Sequence, residues 1–325
     1  MVCPLVSICI PVYGVEKYIE RCARSLFEQT YQNIEYIFVN DCTKDASIEI
    51  LRKIITEYPN RKDCVKIIDH EKNLGLGGAR NTAVEYVSGD FLMWVDSDDY
   101  LDIECVEKVL TIQMKTNADI VAFDAYYDYD TYKGLYSNRL SDDAHEACLD
   151  ICACRAKHMV WGRLYRANLY IDNHIKVKVG CNMGEDYQVV PALYYFAEKV
   201  AVLNEPLYYY YKGNAASYTG SFSEKNAKQW LESIDILLCF FENKEESYRK
   251  AVRIGAAVLT SQLMAGCCRN GNKNMYAIIR KHLDDTEPSV VKLVPKSYRI
   301  YFYLKSRALL MLYTKIGHFI KSRKK

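Results

Sequence analysis

Four carboxylates fall within seven positions, Asp96, Asp98, Asp99 and Asp102 of "DSDDYLD", immediately after the apolar run "DFLMWV" (90–95). Like charges at that spacing repel, so something cationic is expected among them. Carboxylates with no Cys or His beside them are hard oxygen ligands. One or two of them, completed by the phosphates of a substrate, suit Mg²⁺ or Mn²⁺. A helix beginning at Asp102 would favour acids in its first turn, which accounts for Asp99 or Asp102. It does not account for Asp96, which abuts the apolar run.

Three further groups could do chemistry. Asp41 in "FVNDCTKD" stands at the tip of an apolar stretch, where it would accept hydrogen bonds from a nucleobase or ribose; Asp45 fits a turn or helix cap better. Glu185 and Asp186 in "GED" stand at a helix start, either compensating its dipole or supplying a general base for an attacking hydroxyl. The loop "HEKNLGLGGARN" (70–81) carries Gly75, Gly77 and Gly78, which permit close backbone approach. It is no dinucleotide fingerprint: the sixth position from Gly75 is Arg80, and the loop follows the third strand instead of the first. A Walker P-loop is absent too. His145, Cys148, Cys152 and Cys154 are the densest soft-ligand group, but without paired C-x-x-C knuckles they read as one cysteine-rich helix.

The elements that must position these groups alternate. Strands are expected at 5–10, 34–40, 64–69, 90–95 and 118–126, with helices at 16–30, 45–58, from about Gly78, and at 102–116. That alternation predicts an α/β fold, a mostly parallel sheet with helices on both faces. Ligands then bind beyond the carboxyl ends of the strands, where Asn40-Asp41, Asp69-His70 and Asp96 to Asp99 line one crevice. The pattern is irregular from 127 to 155. A helix follows over 180–197, and two short strands with a turn at Asn204 are expected over 199–219. From 223 onward the pattern is helical throughout, which predicts a C-terminal helical subdomain.

Bulk properties bound the partners. Net charge is +2 over 325 residues, which gives no reason to expect nucleic acid. Thirteen cysteines in no repeating framework fit a reducing compartment. The apolar N-terminus lacks a basic flank and holds Pro4 and Pro11, so it reads as a strand and not a signal peptide. No membrane-spanning run is expected. After Glu287 there is no acid, while ten Lys or Arg follow. Projected as one helix from Ser297 to Lys325, Phe302, Leu309, Leu312, Tyr313, Ile316, Phe319 and Ile320 share a face opposite Arg307, Lys315, His318 and Lys321. Such a helix would lie on an anionic membrane surface, the alternative being that its apolar face packs on the protein itself. The expected location is cytoplasmic, with this tail peripheral on the inner face of the cell membrane.

Together the segments "VSICIPVYGVEKYIERCARSLFEQTYQNIEYIFVNDCTKDAS", "NLGLGGARNTAVEYVSGDFLMWVDSDDYLD", "WGRLYR", "GEDYQV" and "YYYYKGNAASYT" resemble family 2 glycosyltransferases, the GT-A nucleotide-sugar transferases of bacterial surface-glycan synthesis. The similarity is dense over 5–125 and patchy over 155–220. It implies a GT-A catalytic domain over 1–220, with 1–125 binding the nucleotide sugar and 126–220 the acceptor, followed by the helical subdomain at 221–325. It implies an inverting, metal-dependent transfer from a nucleoside-diphosphate sugar, UDP-linked by family frequency, to a hydroxyl of a glycan or lipid-linked acceptor. By position, Pro11, Val12 and Tyr13 would border base and ribose, Asp41 would contact the base, and Asp69 would lie in the same crevice. Arg80 matches the arginine ending the glycine loop. Asp96, Ser97, Asp98 and Asp99 match the D-x-D-D element, in which Asp98 contacts ribose or metal and Asp96 or Asp99 ligates metal (Mn²⁺ or Mg²⁺). Asp186 matches the base, with Glu185 second. Arg163 and Lys212 depart from the family, which often has Lys and Arg there, so phosphate or acceptor contacts at those two positions stay open. A sugar nucleotidyltransferase would carry a glycine-rich basic loop after strand one, where "PVYGVEKY" has a single glycine. A catalytically silent nucleotide-sugar-binding protein is harder to reconcile with Asp41, Asp96, Asp98 and Asp186 all being present.

Overall fold

The computed structural model describes residues 3–214 and 223–322, the last seven of these by backbone alone. The chain divides into two compact units, one of residues 1–148 and 156–217, the other of 149–155 and 218–325.

The first unit opens with β1 (Val6–Val12), α1 (Ile19–Phe27), β2 (Ile34–Asn40), α2 (Ser47–Glu57), β3 (Val65–Asp69), α3 (Gly75–Glu85) and β4 (Phe91–Trp94). It continues with β5 (Tyr100–Leu101), α4 (Cys105–Thr116), β6 (Ile120–Asp128), β7 (Lys133–Tyr136), α5 (Ala144–Cys152), β8 (Arg163–Arg166), α6 (Asn168–Ile171), α7 (Glu185–Phe196) and β9 (Val200–Tyr211). Every residue of β1 is buried, as befits a central parallel strand covered on both faces. Val6, Ile8, Ile10 and Val12, at period two, share one core with α1, α2 and α4; α3 also packs on β1 and β2. In α1 the buried residues Ile19, Cys22, Ala23, Leu26 and Phe27 recur at helical spacing.

One sheet runs in the order β3-β2-β1-β4-β8-β6-β9-β5, with β7 beside β6. β3, β2, β1 and β4 are mutually parallel, so their carboxyl ends, each followed by a polar loop, meet at one edge. Beyond β4 the sheet is mixed, and the expectation of a mostly parallel sheet holds only for this first half. β8 is antiparallel to β4 and β6, β7 to β6, and β5 to β9, while β9 is parallel to β6. A parallel pairing needs a long crossover, and the short link from β6 to β7 cannot supply one. Nor are there two strands with a turn at Asn204. β9 is a single strand whose register slips between the pairs Phe123–Leu203 and Asp124–Pro206, taking up Asn204 and Glu205. Pro206 has no N–H to give the ladder there.

In the second unit, α8 (Glu224–Phe241), α9 (Glu246–Asn270), α10 (Lys273–Asp284), α11 (Pro288–Val291), α12 (Lys296–Tyr303) and α13 (Arg307–Ser322) follow one another, and all but α9 itself pack on α9. Ser223 and Asn272 cap α8 and α10 through their side-chain oxygens. α9 is long and apolar enough by composition to cross a membrane, contrary to the sequence reading, yet most of its apolar window is buried as the centre of this unit. The tail is not one continuous helix: residues 304–306 separate α12 from α13. Phe302, Leu310 and Thr314 are buried, whereas Leu309, Leu312 and Tyr313 are exposed. The side chains of Ile316, His318, Phe319, Ile320 and Lys321 lie outside the described residues. Among the described residues no group of three or more His, Cys, Asp or Glu is placed to hold a metal, and Cys148 turns its thiol to the Pro191 carbonyl at 3.4 Å.

Candidate active site

The glycine loop is shaped by Asp41. Its buried carboxylate accepts from the backbone N–H groups of Leu74 at 2.7 Å and Gly75 at 2.8 Å, and pairs with His70 Nδ1 at 2.8 Å. His70 Nε2 meets Thr82 Oγ1 at 2.9 Å. Gly75 has φ +77°, a conformation that glycine reaches without strain. Asp41, expected to face a base or ribose, also holds the loop through both its oxygens. Pro11 and Val12 are buried in β1, while Tyr13 is exposed just beyond it. Asp69 is exposed and accepts from Asn40 Nδ2 at 2.7 Å.

Holding the loop sets the start of α3, and α3 sends Arg80 inward. Arg80 is almost fully buried, lies over the Trp94 ring at 5.1 Å, and donates from Nη2 to Asp96 Oδ1 at 2.9 Å. The same nitrogen stands 3.9 Å from Glu185 Oε1 and 3.8 Å from Asp186 Oδ1. One guanidinium therefore faces three carboxylates from two distant stretches of chain. Burial works against its charge, but Asp96, Asp186 and Glu185 outweigh that and raise its pKa. Its Nε and Nη1, and Asp186 Oδ1, are buried without a hydrogen-bond partner. Unpaired polar atoms in such a place are costly; acceptor oxygens would relieve the Arg80 nitrogens and a donor hydroxyl would relieve Asp186.

Glu185 and Asp186 open α7, after Gly184 at φ +78°. Burial pushes the Asp186 carboxyl up to about 6, with Asp96 adding to the effect and Arg80 and Arg163 opposing it; the Val160 backbone N–H also holds its charged form. Glu185 is pushed well above the usual carboxylate range by burial, then by the Asp186 charge.

The acids after β4 do not act as a set of three. Asp99 is fully buried, and both its oxygens are taken: Tyr208 donates its hydroxyl at 2.6 Å and Tyr211 its backbone N–H at 2.8 Å. Burial and the charges of Asp98 and Asp96 raise its pKa strongly. Asp99, expected as a metal ligand, ties the "DSDD" turn to β9 through these two bonds. Asp96 and Asp98 remain. The backbone N–H of Asp96 donates to Tyr208 at 3.1 Å, and Asp98 Oδ2 accepts from Asn214 Nδ2 at 2.8 Å. Burial and Asp96 raise the Asp98 pKa. Ser97, between them, is buried. Arg80 already pairs with Asp96 and the Arg21 charge acts on Asp98, and two carboxylates there would suit a hard divalent cation that takes its other oxygens from a diphosphate.

Arg163 makes no approach to this opening. It is fully buried, and its guanidinium donates to the carbonyls of Lys157 at 2.7 Å and Trp161 at 3.1 Å, to the Met159 carbonyl, and to Tyr194 Oη at 3.0 Å. It shapes the loop that presents Val160 to Asp186. Lys212 is exposed and lies over the Tyr210 ring at 4.4 Å. Tyr208, Asn214 and Trp94 were not singled out from the sequence, because nothing in their local spacing points to the acids the first two touch or to the Arg80 over Trp94.

Comparisons with known proteins identify the family. The pattern of the family "Glycosyl transferase family 2" matches residues 7–186. The chain is 32% identical over 242 residues to glycosyltransferase GlyA of Streptococcus pneumoniae, covering 70% of this chain and 33% of that protein. It is 30% identical over 256 residues to the putative glycosyltransferase EpsH of Bacillus subtilis, covering 76% of this chain and 72% of that one. The chain thus spans only about a third of GlyA. The crystal structure of Staphylococcus aureus TarS residues 1–349 with UDP-GlcNAc superposes with a TM-score of 0.75 at 19% identity, over 98% of this chain and 92% of that one. That likeness establishes the GT-A-type fold. By the family match and these relatives, the chain belongs to glycosyl transferase family 2.

Proposed function

We propose that the protein transfers a sugar, with inversion, from a nucleoside-diphosphate donor to a hydroxyl of a glycan or lipid-linked acceptor in surface polysaccharide synthesis. The observation that carries this reading is Arg80, buried between Asp96 and the Glu185–Asp186 pair with two nitrogens unpaired. A diphosphate arriving beside Arg80 meets its unpaired N–H groups. Asp186, with a pKa near 6, is ionised at neutral pH and basic enough to take the proton of an acceptor hydroxyl. That oxygen attacks the anomeric carbon as the bond from that carbon to the diphosphate oxygen breaks, and single displacement inverts the centre. Asp96 and Asp98 would hold Mg²⁺ or Mn²⁺, which would supply positive charge for the departing diphosphate. A uridine diphosphate donor is our first choice. The TarS structure with UDP-GlcNAc supports the nucleotide, while the sugar is left to experiment.

Screening purified protein against UDP- and GDP-sugars with Mn²⁺, reading nucleotide release, tests the donor. Asp98→Ala should abolish release while keeping the thermal midpoint, since Asp98 is only partly buried. Full activity in excess chelator, or in Asp98→Ala, overturns the role given to this acid.

The cytoplasmic face of the membrane is the proposed location, with α13 as the contact. Leu309, Leu312 and Tyr313 are exposed on it, in a tail with ten basic residues and no acid after Glu287. Each basic residue near anionic lipid contributes on the order of 1 kcal/mol. Full-length protein should co-sediment with phosphatidylglycerol liposomes at low salt and release as salt rises. Leu309→Glu with Leu312→Glu should cut the bound fraction at least about fivefold. Wild-type protein that stays in the supernatant at low salt removes the membrane contact.

A further inference from the structure

The hairpin tip between β6 and β7 carries two tyrosines that nothing above uses. Tyr129 and Tyr132 stack with ring centroids 4.7 Å apart and planes within 10°, and they stand 40% and 60% exposed. The tip is fastened by other bonds: Tyr211 donates its hydroxyl to Asp130 at 2.9 Å, and the Lys212 N–H donates to the Asp128 carbonyl at 2.7 Å. The exposed rings are therefore not needed to hold the turn.

Their place in the fold matters more. β6 and β9 are parallel, with Asp128 opposite Tyr211, so the tip leaves the sheet at the same edge as the acids. Tyr211 spans the interval, its backbone N–H on Asp99 and its hydroxyl on Asp130. The rings also continue inward. Tyr127 lies 6.3 Å from Tyr129, and Tyr210 lies 5.9 Å from Tyr127. Trp161 follows at 5.2 Å from Tyr210 and stacks on Tyr208, the residue that binds Asp99. A row of packed rings, exposed at Tyr129 and Tyr132 and buried at Trp161 and Tyr208, thus links the tip to the turn that carries the acids.

A second observation lies on that row. Tyr136, 5.0 Å from Tyr127 and 5.2 Å from Trp161, is 3% exposed, and its hydroxyl has no hydrogen-bond partner. Burial pushes its pKa up, and Asp186 adds to the shift against the Arg163 charge, so the hydroxyl sits within the electrostatic reach of Asp186. An orphaned buried hydroxyl calls for a polar ligand, and flat exposed rings call for an apolar face. Pyranose units offer both, a face of C–H groups and a rim of hydroxyls.

We propose that this row of rings is the acceptor subsite, with Tyr129 and Tyr132 as its outer platform for a pyranose face and Tyr136 as the inner donor to a sugar hydroxyl. The assignment rests on reading the site as a sugar transferase, and it deepens that reading by naming the acceptor as a chain of pyranose rings.

The test uses the full chain and three probes, cellotriose, chitotriose and mannotriose, titrated by saturation-transfer NMR. Wild-type protein should bind at least one at about 10 mM or below, and Tyr129→Ala with Tyr132→Ala should weaken that affinity at least about fivefold. Tyr132→Phe keeps the ring and should stay within about twofold. The exposed positions allow both variants to fold, checked by an unchanged thermal midpoint. No binding of any triose to wild type, or equal binding to the double variant, overturns the subsite. Nucleotide release from the donor panel is measured separately on wild type. Its absence there counts against the transferase reading, and the triose titration still judges the platform.

Discussion

Asp186→Asn lowers sugar transfer by about 10²-fold or more, with the donor KM unchanged or lower, because the amide keeps the shape, carries no charge and cannot accept the proton. The same substitution is expected to stabilise the fold. The Asp186 carboxyl has a pKa of about 6 in the folded chain, above its ordinary value of 3.8, so the fold disfavours its ionised form. That penalty is full above pH 6 and fades as pH falls towards 4. Asparagine should therefore gain on the order of 1–3 kcal/mol at pH 7.5 and almost nothing near pH 4. Wild-type turnover falls as pH drops through about 6, when the base becomes protonated. Kinetics and thermal melts across pH 4–8 check both halves. An active Asp186→Asn beside a dead Glu185→Gln would transfer the base to Glu185, and a destabilised Asp186→Asn would contradict the burial account.

Arg80→Leu has the largest expected cost to the fold. It removes the guanidinium that Asp96, Glu185 and Asp186 share and leaves only the Arg163 charge to oppose Asp186 in a buried place. Breaking such a set from one side costs about 3–5 kcal/mol at pH 7.5. Lowering the pH should return part of it, because Glu185 and Asp186 both have raised pKa values and become neutral first. Urea unfolding at pH 7.5 and 5.5 reads the difference. Arg80→Leu with wild-type stability at both pH values would show that Arg80 is not their counter-ion. Arg80→Lys retains the charge without the fork, so it should keep much of the stability and lose most of the nucleotide release.

The parts legible in the sequence are those whose cause is local. β1, β2 and β4 announce themselves as apolar runs, α1 by the spacing of Cys22, Leu26 and Phe27, and the crevice by the polar residues that end the strands. Arg80 and Asp186 also stood out, one by the glycines before it and one by its place at a helix start. What failed depended on partners far along the chain. Spacing cannot tell which of two adjacent carboxylates turns inward, and Asp99 does so because Tyr208, 109 residues later, is there to receive it. Asp41 looked free for a ligand since the backbone it holds, at Leu74 and Gly75, belongs to another loop. The sequence left the role of Arg163 open, because the carbonyls around it form a closed cage visible only in three dimensions. β9 was split in two at Asn204 because a bulge and a turn share the same local composition.

The sharing of Arg80 between Asp96 and Asp186 makes donor binding and proton binding two ends of one equilibrium. A diphosphate near the guanidinium brings negative charge close to Asp186 and so increases its affinity for a proton. Reciprocity then requires that a proton on Asp186 increase the affinity for the diphosphate by the same factor. As the medium is acidified through pH 6, the enzyme should hold its donor more tightly while turning it over more slowly. Saturation and velocity would thus respond in opposite senses to one proton.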